Sequence, residues 1–288
     1  MPTERIAQDA DPAAFIAEVA SHAQTFATPC GEGELVWRRW GSGPALVLLH
    51  GGTGSWTHWI HNVLALAKTH AVWAPDMPGY GDSASPPKNS PIAAIAAIVA
   101  DGIQRLIAGG EKFDLVGFSF GGLVAGHLAA ARPPGLRRMV LVGSGGLGLR
   151  EGKKLPLLAW RHLKSASERS AAHRHNLARL MLLDAGRIDA LALHIQSENA
   201  QRSRLNSGPF SRGDTLLEPL SRLDPNVLLR GIWGRHDVTT EDRLSEVEPI
   251  LRRADPAATV SVIEDAGHWV IFEQPDRFNT ALLAATGG

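Results

Sequence analysis

Ser119 stands inside Gly117-Phe118-Ser119-Phe120-Gly121, where a short apolar run ends and an alanine-rich, helix-like segment begins. A serine hydroxyl is a weak nucleophile until a base takes its proton, so its use depends on what else the chain supplies. A tight strand-to-helix turn strains the central residue, and glycines two positions to either side leave room for that turn. The turn lifts the hydroxyl above the sheet at a helix N-terminus, where developing negative charge is favoured. His50-Gly51-Gly52 closes another apolar run, and there the Gly52 N–H, with that of Phe120, would make an oxyanion hole. His268 lies in Asp265-Ala266-Gly267-His268-Trp269, a small-residue loop after the last strand-like run, from which it can reach Ser119 as the base. Asp237, in Gly234-Arg235-His236-Asp237, follows the strand-like run before that and is placed to orient the imidazole.

Rival residues fit these roles less well. The chain has 12 histidines. His22, His162, His173, His175 and His194 fall on helix-like surface segments, and His127 lies along the helix after Ser119. Asp265 is too near His268 in sequence to meet its ring comfortably. Asp76 and Asp82 belong to Asp76-Met77-Pro78-Gly79-Tyr80-Gly81-Asp82-Ser83, whose proline and glycines read as a turn.

The elements that must carry these residues are legible as runs of leucine and β-branched residues: 34–40, 45–50, 71–74, 114–118, 139–143, 227–233 and 259–264. Ser90-Pro91 reads as a cap and first-turn proline for a helix over Ile92–Leu106, which Gly109-Gly110 would close. Strands alternating with helices imply a parallel sheet covered on both faces. The alternation breaks between Gly145 and about Leu223, where only helical patterns appear. The expected organisation is an N-terminal extension at 1–30 (a helix around 12–22 and a linker), a core at 31–145 and 225–288, and a helical lid at 146–224. A segment inserted after a central strand sits over the carboxyl ends of the strands, where open α/β sheets bind ligands.

Composition narrows the function classes. The chain has 288 residues, with 29 basic and 29 acidic side chains, and this balance argues against nucleic acid or an anionic membrane as the main partner. Cys30 is its single cysteine, so neither an internal disulfide nor a cysteine-based metal site is expected. No secretory signal or membrane-spanning run is visible, which predicts a soluble, cytoplasmic protein.

The order Ser119, Asp237, His268, each after its own strand, is the one expected of α/β-hydrolase enzymes. From about Gly31 to Ala285 the chain resembles the serine-nucleophile branch of the α/β-hydrolase fold superfamily. The matching pieces are HGG at His50, DMPGYGDS at Asp76, GFSFGG at Gly117, GRHD at Gly234 and AGHW at Ala266. The resemblance implies an α/β fold with a mostly parallel, doubly wound sheet flanked by helices and a helical lid after a central strand. It also implies acyl chemistry at Ser119 on a small-molecule substrate, with no cofactor and no metal.

The leading expectation is hydrolysis of a small, largely apolar carboxylic ester, in a pocket drawing on Gly51, Trp56, Phe118, Trp160 and Trp269. A second is carbon–carbon bond hydrolysis of ring-cleaved aromatic catabolites. Gly143 to Gly148, and Gly267-His268-Trp269 with Glu273 nearby, look similar to that subfamily, and Arg202 or Arg204 would meet the substrate carboxylate. A third, of another class, is non-hydrolytic binding of a small ligand. Nothing in the composition speaks for or against self-association.

Overall fold

The computed structural model describes residues 11–107, 111–149, 155–211, 213–240 and 242–287. After helix α1 (Pro12–Ser21) come strands β1 (Gln24–Cys30), β2 (Gly33–Trp40) and β3 (Ala45–Leu49), then α2 (Val63–Leu66), β4 (Ala71–Pro75) and α3 (Ile92–Leu106). Next are β5 (Phe113–Phe118), α4 (Phe120–Ala130), β6 (Leu136–Val142), α5 (Ala166–Asn176), α6 (Ala190–Gln201) and α7 (Leu217–Ser221). The chain closes with β7 (Leu228–Gly234), α8 (Val247–Leu251), β8 (Thr259–Ile263), α9 (Val270–Glu273) and α10 (Pro275–Thr286).

Eight strands form one sheet in the order β1-β2-β4-β3-β5-β6-β7-β8. Pairing is parallel from β4 through β8 and antiparallel only at β1–β2 and β2–β4. The central strands are buried on both faces, because successive side chains of one strand point to opposite sides of the sheet. Val47, Leu49 and Leu115 join the core beneath α3 and α4, while Leu46, Leu48 and Val116 join the core beneath α10 and Trp59. Two hydrophobic layers therefore clamp the strands whose ends carry the glycine turns.

The seven strands expected from sequence are present, with ends shifted by a residue or a few. The stretch expected as a linker at 23–30 is instead β1, paired with β2 from Gln24↔Arg39 to Cys30↔Gly33. Pro29 and a mostly exposed run hid it, since proline is tolerated on just such an edge strand. Asp11 caps the N-terminal helix, accepting a bond from the Ala13 N–H, with Pro12 in the first turn. At α3 the cap position is Pro91, and Ser90 turns back to donate to the Pro87 carbonyl. The glycine pair expected to end that helix, at 109–110, lies outside the described residues.

Between β6 and β7 the described residues hold no strand, only α5, α6, α7 and short irregular turns. Among the described residues no helix is long and apolar enough to cross a membrane.

Candidate active site

Ser119 follows β5 with φ 51° and ψ −114°, in the left-handed region that a side chain enters only under constraint. Its neighbours supply that constraint. A β-carbon on Gly121 would lie 2.3 Å from the Leu49 carbonyl oxygen, and one on Gly117 would lie 2.6 Å from the Gly122 Cα. The turn is thus wedged against β3 and against its own helix, and only glycine fits at either place. The Ser119 N–H donates to the Val142 carbonyl at 2.8 Å, tying the turn to β6 as well.

Two loops at the same sheet end meet the serine. His268 Nε2 lies 3.0 Å from Ser119 Oγ, and its Nδ1 lies 2.9 Å from Asp237 Oδ2. Asp237 Oδ1 accepts from the Thr239 N–H at 2.8 Å and from the Thr239 hydroxyl at 2.7 Å, which fixes the plane of the carboxylate. Both Asp237 and His268 are buried. An imidazole whose Nδ1–H faces a carboxylate presents a bare Nε2 to the hydroxyl, the tautomer a base requires.

The loop after β3 is held from behind by two more histidines. His50 Nδ1–H donates to the Gly51 carbonyl, and its Nε2 accepts from the Met77 N–H at 2.9 Å. His58 Nδ1 accepts from the Gly51 N–H at 3.2 Å. Each ring uses one nitrogen as an acceptor, so each must be neutral. Burial lowers the His50 pKa to about 4, against the opposing pull of Asp76. It lowers that of His58 further below the ordinary range, helped by the nearby His50 and His268 rings. Asp76, buried in the turn expected from sequence, accepts from the Trp56 N–H at 2.8 Å and the Asp82 N–H at 2.9 Å, and pairs with Arg38. Among the described residues the Gly52 and Phe120 N–H groups find no backbone partner, and both residues line the cavity beside Ser119.

That cavity has a volume of about 740 Å³. The core contributes Gly51, Gly52, Phe118, Ser119, Phe120 and His268, and the segment between β6 and β7 contributes leucines at 147, 149, 155, 157 and 180 with Met181. No lysine or arginine lines it among the described residues. Glu273 joins the two sides: one carboxylate oxygen accepts from the Gly267 N–H at 2.6 Å, the other from the Leu183 N–H at 2.8 Å. Burial pushes the Glu273 pKa up, while these two N–H groups pull it down.

Of the residues expected in the pocket, Gly51 and Phe118 are there and three tryptophans are not. Trp56 is buried against Trp40 beneath the Arg38 guanidinium. Trp269 stacks on Phe272 and donates to the His58 carbonyl. Trp160 packs on His173, which is buried rather than on the surface. Large aromatics filled the helix-to-sheet core, and leucines spaced along the helical segment filled the pocket wall. Arg202 and Arg204 also point elsewhere: Arg202 pairs with Asp82, and Arg204 donates to the Ser83 carbonyl. Asp265 is exposed, 3.8 Å from Arg277, and takes no part in the relay.

The chain matches the alpha/beta hydrolase family over residues 46–281, and belongs to it. It is 30% identical over 280 residues to the dihydrolipoyllysine-residue acetyltransferase component of the acetoin cleaving system of Cupriavidus necator, covering 94% of this chain and 71% of that one. It is 28% identical over 257 residues to 2-hydroxy-6-oxo-6-phenylhexa-2,4-dienoate hydrolase of Burkholderia cepacia, covering 84% and 87% of the two chains. A solved meta-cleavage product hydrolase from Pseudomonas fluorescens shares its fold at TM-score 0.74 and 24% identity, over 91% of this chain and 97% of that one.

The neutral histidines give the fold a dependence on pH. An unfolded histidine titrates near ~6.5, so the unfolded chain binds more protons than the folded one at any pH between there and the folded value. For His50 that window runs down to about pH 4. Stability present above ~6.5 is therefore lost on acidification, at about 1.4 kcal/mol per pH unit for each such histidine. The buried His70 and His173 and the half-buried His127, all lowered by burial, act in the same direction. The melting temperature should fall steadily from pH 6.5 to 4.5, and a His50→Gln variant, less stable at neutral pH, should lose less over that step. Scanning fluorimetry showing the same slope in both proteins would contradict this role for His50.

Proposed function

We propose that the protein is a serine hydrolase that cleaves a small, largely apolar carboxylic ester through an acyl-enzyme. Ser119 is the nucleophile, His268 the base and then the acid, Asp237 the carboxylate that orients it, and the Gly52 and Phe120 N–H groups the oxyanion hole. The observation that carries this reading is the Ser119–His268–Asp237 relay at hydrogen-bond distance, with Asp237 and His268 buried, opening into a cavity walled in part by leucines.

The chemistry follows from those positions. Ser119 Oγ bonds to the ester carbonyl carbon as its proton passes to His268 Nε2, and the carbonyl oxygen becomes an oxyanion. The ester C–O bond then breaks, His268 returns the proton to the departing alkoxide, and the acyl group remains on Ser119. Water repeats the attack with His268 as base, releasing the carboxylic acid and restoring the serine hydroxyl. Asp237 stays ionised throughout and favours the imidazolium. The segment at 146–224 acts as a lid that keeps bulk water from the acyl-enzyme.

Carbon–carbon hydrolysis is the second reading, favoured by relatives that act on 2-hydroxy-6-oxo-dienoates. Such substrates carry a carboxylate, which in a dry pocket needs a cationic or strong hydrogen-bonding partner. The two arginines that sequence offered for that role are engaged elsewhere, and Phe118 sets an apolar ring 5.1 Å from that of His268. This favours a neutral ester.

Turnover of p-nitrophenyl esters of increasing chain length, compared with 2-hydroxy-6-oxo-6-phenylhexa-2,4-dienoate, separates the two. The ester reading expects kcat/KM for the best ester to exceed that for the dienoate by roughly a hundredfold or more. The reverse ranking would replace it with the second. In either case Asp237→Asn should lower kcat by about 10⁴ by disturbing the His268 tautomer, while Asp265→Asn stays near wild type. Steady-state kinetics giving the opposite pattern would mean the orienting acid is misassigned.

A further inference from the structure

Gly52 has no room for a side chain, and a hydroxyl occupies the space. A β-carbon there would lie 2.1 Å from Ser207 Oγ, 3.0 Å from Ser207 Cβ and 3.6 Å from Phe120 Cβ. Ser207, in the segment between β6 and β7, therefore reaches the point on the cavity wall where Gly52 and Phe120 meet, and all three line the cavity. Asn206, Gly208 and Ser211 of the same segment line the cavity beside it.

Behind Ser207 lies the Tyr80 phenol. Burial pushes its pKa above the ordinary range, against hydrogen bonding toward Ser207 and the Thr53 backbone, so it stays protonated wherever the protein is folded. Among the described residues that buried oxygen makes no hydrogen bond. A hydroxyl has one proton to give and two lone pairs to receive. The Ser207 hydroxyl neighbours both that oxygen and the cavity, and its single proton can serve either.

We propose that Ser207 is a third donor to the oxyanion hole, a catalytic residue supplied by the helical segment. This rests on the serine-hydrolase reading and extends it. As the carbonyl oxygen turns anionic between the Gly52 and Phe120 N–H groups, the Ser207 O–H shortens onto it, and bonds to charge are roughly twice as strong as neutral ones. A donor aimed at developing charge lowers the barrier and leaves ground-state binding nearly untouched. The position is stitched in place. The Arg204 N–H donates to the Gly79 carbonyl at 2.8 Å, the Arg204 guanidinium reaches the Ser83 carbonyl, and Arg202 pairs with Asp82. These contacts anchor the chain just before Ser207 to the very turn that holds Tyr80. The hole is complete only when the helical segment is seated.

The test uses the 288-residue chain, its Ser207→Ala and Ser207→Cys variants, the best p-nitrophenyl ester, and an alkylboronic acid whose adduct on Ser119 places an oxygen in the hole. Ser207→Ala should lower kcat roughly tenfold to a hundredfold, keep KM within about threefold, and weaken the boronic acid by the same factor as kcat. Melting temperature should not move. Ser207→Cys, with a weaker donor of similar size, should fall between. An unchanged kcat, a loss confined to KM with boronic acid affinity intact, or a loss explained by a lowered melting temperature overturns the assignment. If the wild type turns over the ester and Ser207→Ala matches it, only the role of Ser207 falls. If the wild type neither turns over any ester nor binds the boronic acid, the hydrolase reading falls with it.

Discussion

Everything at the site depends on holding one serine in a backbone conformation that serine does not choose. The positive φ of Ser119 carries a cost of order 1–3 kcal/mol, and it persists because the surroundings leave no alternative. The Leu49 and His50 carbonyls press on Gly121 from β3, and the backbone of α4 presses on Gly117. Relaxing the turn would mean moving the two central strands, each buried on both faces. Core packing therefore aims the proposed nucleophile. The same packing brings the ends of β3, β5, β7 and β8 to one edge, so four loops far apart in sequence converge within hydrogen-bond reach.

Around the turn several buried polar groups are held by fixed partners. Asp237 is held on Oδ1 by Thr239 and faces the His268 Nδ1 with both oxygens. His50 and His58 stay neutral to brace the Gly51 peptide, and Asp76 ties that loop to the Tyr80 turn. Glu273 does the same between the His268 loop and the helical segment. Among the described residues the Gly52 and Phe120 N–H groups, beside the cavity, have no backbone partner, and that is where an oxyanion would form.

Much of this was legible in the sequence because catalytic loops announce themselves by composition. Ser119, Asp237 and His268 each follow a short apolar run and sit among glycines, so strand and loop could be read together. The pocket was less legible. Trp56, Trp160 and Trp269 attract attention as large aromatics, but bulk alone does not say which cavity a ring fills, and here all three pack away from the substrate space. The leucines that do line it come from a segment with no strand to anchor its register. Ser207 is one serine among many until the fold sets it on Gly52, some 150 residues away in sequence. Strand β1 was hidden by Pro29 and by its edge position, where only Thr28 and Cys30 are buried.

The central claim is that Ser119 alone becomes covalently modified in an acyl-transfer reaction driven by His268. Labelling with an alkyl fluorophosphonate, followed by peptide mass spectrometry, tests it most directly. One adduct per chain is expected, on the peptide carrying Ser119, with labelling slowed by orders of magnitude in His268→Ala and absent in Ser119→Ala. Labelling at another residue, or a rate that His268→Ala leaves unchanged, would contradict the account.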